Sequence, residues 1–256
     1  MRVNLQPSYV IHSRPYRDTS SLLEVFTAEY GRISLVARGT RRQTRRGSKA
    51  ALLQPFSPLL LSFSGRMELK TLTAIEPVKG MSILRGERLF SGLYMNELLV
   101  RLLHRNDAHP ELFAAYDWAL KALADNALVD AVLRGFEITL LDELGYGLNL
   151  SVDGASGESV HDTLRYRYDP ELGLVASDDA TVHSAATYLG SDLLAMGCGE
   201  FEGPVRLTAK LLLREVLAVH LGDMPLHSRE LFRVKTKLVS KHDGVARNPY
   251  ASGDPS

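Results

Sequence analysis

The sequence predicts an α+β protein in which a small N-terminal β-barrel precedes an α-helical domain that carries a β insertion. Three observations carry this expectation. Short apolar or alternating runs separated by turn residues fill the first 78 residues. Helical periodicity takes over from about residue 83, and turn residues return between 148 and 178 before helix resumes.

The first segment reads as five strands: 8–13, 20–27, 32–37, 56–63 and 67–75. Ala28-Glu29-Tyr30-Gly31 joins the second to the third as a tight turn, with Gly31 free to take positive φ. Five strands in under 80 residues without a helical period fit a closed barrel of the OB type, because closure leaves no exposed edge. A small open sheet is the alternative.

Residues 87–104, 110–124 and 128–144 place leucines and aromatics on one helical face, with Pro110 at a helix start and Gly145 at a stop. Asp153-Gly154, Ser156-Gly157 and Asp169-Pro170 are turn signals, and 164–168 with 172–175 reads as a hairpin. Helix is expected again over 180–196, over 204–221 before Gly222, and as a basic amphipathic segment over 228–238. The expected organisation is a barrel over 1–80, a helical domain over 81–147 and 179–245, an insertion over 148–178 and a flexible tail over 246–256.

The formal net charge is zero, but the charges are segregated. Residues 1–80 hold thirteen Lys and Arg against five Asp and Glu, a balance of +8. Residues 81–205 hold eight against twenty, and residues 206–256 hold nine against five. Segregation of this kind points to a polyanionic partner for one or both ends.

From Arg32 to Lys49 there are seven cations and no acid. Nothing apolar lies between Ala37 and Ala50, so the core of this stretch, Arg38, Arg41, Arg42, Arg45, Arg46 and Lys49, is expected on a loop between strands. Guanidinium groups grip phosphate in a bidentate way, and the interspersed Gly and Ser let the chain follow a nucleic-acid backbone. A solvated loop is the alternative, but seven like charges repel one another, which favours a bound polyanion. Arg229, Arg233, Lys235, Lys237 and Lys241 form a second basic patch, read as a second DNA contact with a solvated helix face as its alternative. Phe26, Tyr30, Phe56 and Phe63 lie on or beside the strands and read as core before they read as stacking platforms for bases.

No catalytic constellation emerges. The eight histidines are dispersed, His104 and His109 lack a carboxylate at metal-ligand spacing, and the adjacent Asp142-Glu143 pair reads as an exposed helix end. Gly145-Tyr146-Gly147, Gly197-Cys198-Gly199 and Arg38-Gly39-Thr40 are too short for a phosphate loop. The lone Cys198 excludes an internal disulfide. With no long apolar run and no signal-peptide core, a cytoplasmic protein is expected, with no cofactor and no enzymatic step.

The ordered set of motifs resembles the RecO recombination-mediator family. The residues that carry the resemblance are Ser20 to Thr27, Tyr30-Gly31, Val36-Ala37-Arg38-Gly39 and Leu52-Leu53-Gln54-Pro55-Phe56, then Phe136-Glu137 with Leu141, Leu144, Gly145 and Tyr146. The set ends with Leu212 to Leu217, His220-Leu221-Gly222 and Pro225 to Arg229. The resemblance implies an OB-fold, a helical domain and, in many members, a four-cysteine zinc knob. Here no cysteine appears between Tyr146 and Cys198, so thiolate zinc is not available and a cofactor of that kind is not expected. It also implies RecF-pathway DNA repair at the nucleoid. Members bind single- and double-stranded DNA, anneal complementary strands, engage the acidic tail of single-stranded DNA-binding protein (SSB) and act with RecR to load RecA. For the SSB tail, Arg101, Arg105, Lys121 and Arg134 are the candidate cations of the acidic helical domain. A protein–protein adaptor and an RNA-binding OB protein are the competing readings, separable by peptide binding and by DNA-versus-RNA affinity.

Overall fold

The structure is a computed structural model and describes residues 1–40, 49–78, 83–177 and 186–231. Strands β1 (Arg2–Tyr16), β2 (Ser20–Thr27), β3 (Gly31–Ala37), β4 (Leu59–Ser64) and β5 (Leu69–Pro77) close a barrel in the order β1-β2-β3-β5-β4. Helix α1 (Lys49–Leu52) stands between β3 and β4. This is the five-stranded OB-type architecture expected from the sequence.

β1 closes the barrel. Its second half pairs with β2 and its first half with β4, and a bulge between Val10 and His12 bends it from one partner towards the other. β1 is longer than the 8–13 run, because Pro7 and exposed Arg14 and Pro15 hide its period. β4 starts three residues later than expected, after Phe56 at φ 68° and Pro58. The interior is filled by one side chain in two along each strand, among them Val10, Leu23, Val25, Ile33, Leu35, Leu61 and Phe63.

Helices α2 (Glu87–Leu102), α3 (Pro110–Ala124) and α4 (Val129–Glu143) follow, then β6 (Arg165–Asp169), β7 (Gly173–Ala176) and β8 (Tyr188–Leu189). Helices α5 (Gly190–Gly197) and α6 (Val205–Leu221) come last. α4 stops before Gly145 at φ 78° and α6 before Gly222 at φ 68°, both left-handed conformations that suit glycine. One correction concerns the helix expected over 180–196. Tyr188–Leu189 is a strand added to the edge of β6, opposite Tyr166 and Arg165, and α5 begins only at Gly190. Backbone pairing across more than twenty residues overrides the local apolar pattern there.

The helices and the outside of the barrel share one apolar cluster. Tyr9 and Phe26 leave the barrel surface and pack on α3, with Tyr9 ring centroids 5.2 Å from Tyr116 and Phe26 5.4 Å from Phe113. Gly31, at φ 59°, lets the β2–β3 turn press on the chain after α2; a Cβ there would lie 1.6 Å from the Asp107 carbonyl oxygen. Among the described residues no helix is long and apolar enough to cross a membrane.

Candidate nucleic-acid interface

The basic stretch divides. Its first cation, Arg32, is turned inward. Its guanidinium donates to the Val100 carbonyl of α2 and lies 3.8 Å from Glu24, while Asn106 N–H donates to the Arg32 carbonyl at 2.9 Å. Burial pulls its proton affinity down, and Glu24 only partly restores it. Arg32 therefore fastens the barrel to the helices and is not available to a phosphate.

Arg38 and Lys49 are exposed at the two ends of the segment. Both line one groove of about 330 Å³ at the mouth of the barrel, with Thr40, Leu52 and Leu72 to Ile75. Thr40 is buried; its hydroxyl lies 2.8 Å from that of Ser21 and donates to Ala37 O at 3.4 Å, which pins the end of β3 to β2. Arg41, Arg42, Arg45 and Arg46 lie outside the described residues. So do Arg233, Lys235, Lys237 and Lys241 of the second patch, and the 246–256 tail. The aromatics weighed as platforms are core: Phe26 and Phe63 are almost wholly buried, Phe56 is buried, and half-buried Tyr30 meets Phe63 edge-on at 5.7 Å.

The four cations considered for a partner tail are not equivalent. Arg101 caps the end of α6 by donating to Leu221 O at 2.8 Å and Met224 O at 2.7 Å. Arg105 pairs with Glu24 and Glu68 of the barrel. Lys121 pairs one turn back with Asp117 at 2.6 Å on an exposed face. Arg134 lines a cavity of about 300 Å³, walled by Tyr94, Val129 and Leu133 and also lined by Lys210, Arg214 and Arg229. Glu87 and Asp130 are its acids. Beneath it Arg134 meets buried Glu137 at 2.6 Å, and Tyr94 OH donates to the same carboxylate at 2.7 Å. Arg229 reaches the cavity because Glu97 accepts the N–H groups of His227 and Ser228, at 2.9 and 2.8 Å, and holds the helical turn they begin. Sequence reading missed Lys210 and Arg214, whose four-residue spacing within α6 was the available signal.

The insertion does not suit a metal. Asp153 accepts N–H groups from Ala155 at 2.8 Å, Ser156 at 3.1 Å and Ala176 at 2.9 Å, so its carboxylate is used in tying the 153–156 turn to β7. Burial pushes this carboxyl up, but the three backbone donors outweigh it and hold it below the usual carboxylate range. Cys198 is exposed at the end of α5, and among the described residues no three His, Cys, Asp or Glu side chains gather to hold an ion. Glu143, read as an exposed helix end with Asp142, instead lies 3.2 Å from His109 Nδ1.

Comparison with known proteins agrees with this architecture. The family profile described as Recombination protein O N terminal matches residues 1–81, and that described as Recombination protein O C terminal matches residues 84–230. The DNA repair protein RecO of Nitrosococcus oceani is 46% identical over 241 residues, covering 93% of this chain and 96% of that protein. The DNA repair protein RecO of Nitrosospira multiformis is 43% identical over 91% of this chain and 96% of its own length, and that of Haemophilus influenzae is 43% identical over 91% and 97%. A five-stranded OB-type barrel docked on helices, a cysteine-free insertion and matches along nearly the whole length lead to one conclusion: the chain belongs to the RecO family of DNA repair proteins.

Proposed function

We propose that this chain is a recombination mediator of the RecF pathway. It binds single- and double-stranded DNA through the segment from Arg38 to Lys49, anneals complementary strands, and with RecR helps load RecA onto SSB-coated strands. It works by binding, without a covalent step, in the cytoplasm at the nucleoid. The observation that carries the reading is that Arg38 and Lys49 line the same groove of an OB-type barrel. The two ends of the acid-free segment thus meet at one place on the barrel. Cations that screen two strands held close together give annealing a physical basis.

If four phosphates of a single strand are contacted, log affinity falls with log salt at a slope of roughly −3. Replacing Arg41, Arg42, Arg45 and Arg46 by alanine then weakens DNA binding and flattens that slope. Unchanged affinity and slope reject the site.

A second part of the reading concerns the SSB tail. An acidic peptide with apolar residues needs cations beside apolar walls. The cavity of Tyr94, Val129 and Leu133 ringed by Arg134, Lys210, Arg214 and Arg229 offers both. Of the four cations first considered, Arg134 is the one this geometry favours.

A further inference from the structure

A groove of about 370 Å³ opens where the segment after α4, the β6–β7 hairpin and the end of α6 meet. Local chemistry sets its walls. Gly145, at φ 78°, ends α4, and the Tyr146 N–H donates back to Leu141 O at 2.8 Å, which turns the chain and fixes Tyr146 at the helix end. There its ring stacks on that of His220 in α6, with centroids 3.8 Å and planes 14° apart. The hairpin tip is held by Asp169, which accepts the N–H groups of Glu171 at 3.0 Å and Leu172 at 3.2 Å. Gly154 lets a neighbouring turn press on that tip; a Cβ there would lie 1.6 Å from Leu172 O.

The groove is aromatic, apolar and acidic. Tyr146, Tyr168, Leu172 and His220 line it with Glu171, and among the described residues no Lys or Arg does. Arg167, the cation nearest Glu171 in sequence, is taken by Asp169 at 3.2 Å. Burial lowers the proton affinity of His220, so the stacked ring adds no cation at neutral pH. Residues 148–178 hold six acids against two cations. Tyr146, Leu172 and Val219, the neighbour of His220 on α6, are each close to half exposed. Such a surface repels a phosphate backbone and attracts a cation that has apolar neighbours.

We infer that this groove docks an arginine side chain of a partner protein, carried on a short basic and apolar segment. The guanidinium lies on the open face of Tyr146 and pairs with Glu171, while its apolar neighbours cover Leu172 and Val219. Arginine fits both walls because its planar cation stacks on an aromatic face and forks onto a carboxylate. A nucleotide could stack on Tyr146 too, but its phosphate would face Glu171 and the acidic insertion. The His220 ring behind Tyr146 and the Asp169 turn behind Glu171 hold both groups in place before docking, so little side-chain freedom is lost. The inference does not depend on the DNA-binding reading. It gives the acidic part of the chain a partner opposite in charge to the one proposed for the barrel.

The test follows backbone amide shifts of the isotope-labelled full chain as peptides are added. The probe is alanine-leucine-arginine-leucine-alanine, blocked at both ends. Two further peptides replace the arginine by citrulline, which keeps the shape without the charge, and by glutamate. The arginine peptide should move amides around the groove, among them Tyr146, Leu172 and Gly173. The citrulline peptide should bind roughly fivefold more weakly, and the glutamate peptide should move none of them. Glu171→Gln, at an exposed position, should bring the arginine and citrulline peptides to similar affinity. Tyr146→Ala should weaken the arginine peptide about threefold, with Tyr146→Phe restoring it. The three peptides on the unmutated protein decide the matter even if a variant does not fold. Equal binding of the arginine and citrulline peptides, shifts confined to other surfaces, or no shift at all overturns the inference. So does an oligothymidylate that moves the groove amides more strongly than the arginine peptide, which would make the groove a nucleic-acid contact.

Discussion

Arg105, just beyond the end of α2, reaches 3.3 Å from Glu24 in β2 and ties two elements 81 residues apart. Glu24 also faces Arg32 and accepts the Ser34 hydroxyl at 2.7 Å, so one carboxylate anchors two arginines at the junction of barrel and helices. Removing it leaves Arg32 largely buried without its anion. Glu24→Ala should therefore cost about 2 kcal/mol, less than the loss of a fully buried pair because water reaches Arg105. For a chain of this size that is a fall of roughly 4–8 °C in melting temperature. A calorimetric scan that matches the unmutated protein would remove Glu24 from the junction.

Asp153 makes an acid-limited staple. Its folded carboxyl is held below the unfolded value of about 3.9, so its contribution is complete above that pH and fades as pH falls through the folded value. Hydrogen exchange should show the Ala155, Ser156 and Ala176 amides protected at neutral pH and released in acid. In Asp153→Ala they should exchange fast even at pH 7. A chelator should leave the melting temperature of the unmutated protein where it was; a fall would show that a metal holds the insertion after all.

Glu137 titrates in the opposite sense. Burial lifts its carboxyl above the ordinary range, and Arg134 and the Tyr94 hydroxyl only partly oppose that. The folded state therefore holds this proton more tightly than the unfolded state. The group favours folding most below about pH 4.3, and that contribution declines as pH rises through the folded value. Glu137→Gln keeps an acceptor for Tyr94 and Arg134 but cannot ionise. Urea midpoints measured from pH 4 to 7 should fall with rising pH in the unmutated protein and vary less in the variant. Parallel profiles would mean that Glu137 does not contribute to the slope.

The cavity beside Arg134 separates two kinds of cation. Lys210 and Arg214 line it, whereas Lys121 is paired with Asp117 on an exposed face of α3. With a peptide of the SSB tail, Arg214→Ala should weaken binding about fivefold and steepen no salt dependence, while Lys121→Ala should change it less than twofold. Titration calorimetry giving the reverse order would move the tail to the α3 face.

Much of this protein was legible in its local pattern. The turn at Gly31, the helix stops at Gly145 and Gly222, and the run of strands that closes into a barrel each depend on neighbours in sequence. The boundaries of β4 and the helix expected over 180–196 were less legible. Phe56 adopts an unusual backbone conformation before β4, and β8 exists only because β6 offers it an edge.

Composition and spacing alone established the charge segregation, the acid-free run from Arg32 to Lys49 and the absence of a cysteine set for zinc, because each is a property of residue order. What each cation does was decided by the tertiary structure. Arg32 and Arg105 meet Glu24, Arg101 caps α6, and Arg229 joins Arg134 at one cavity. The reason is electrostatic and steric. An arginine inside a basic run looks like its neighbours in sequence, but a carboxylate brought to it from a distant strand neutralises it, and only folding brings that carboxylate near. The same folding covers Phe26 and Tyr9 while leaving Arg14 exposed and Tyr16 partly exposed further along the same strand.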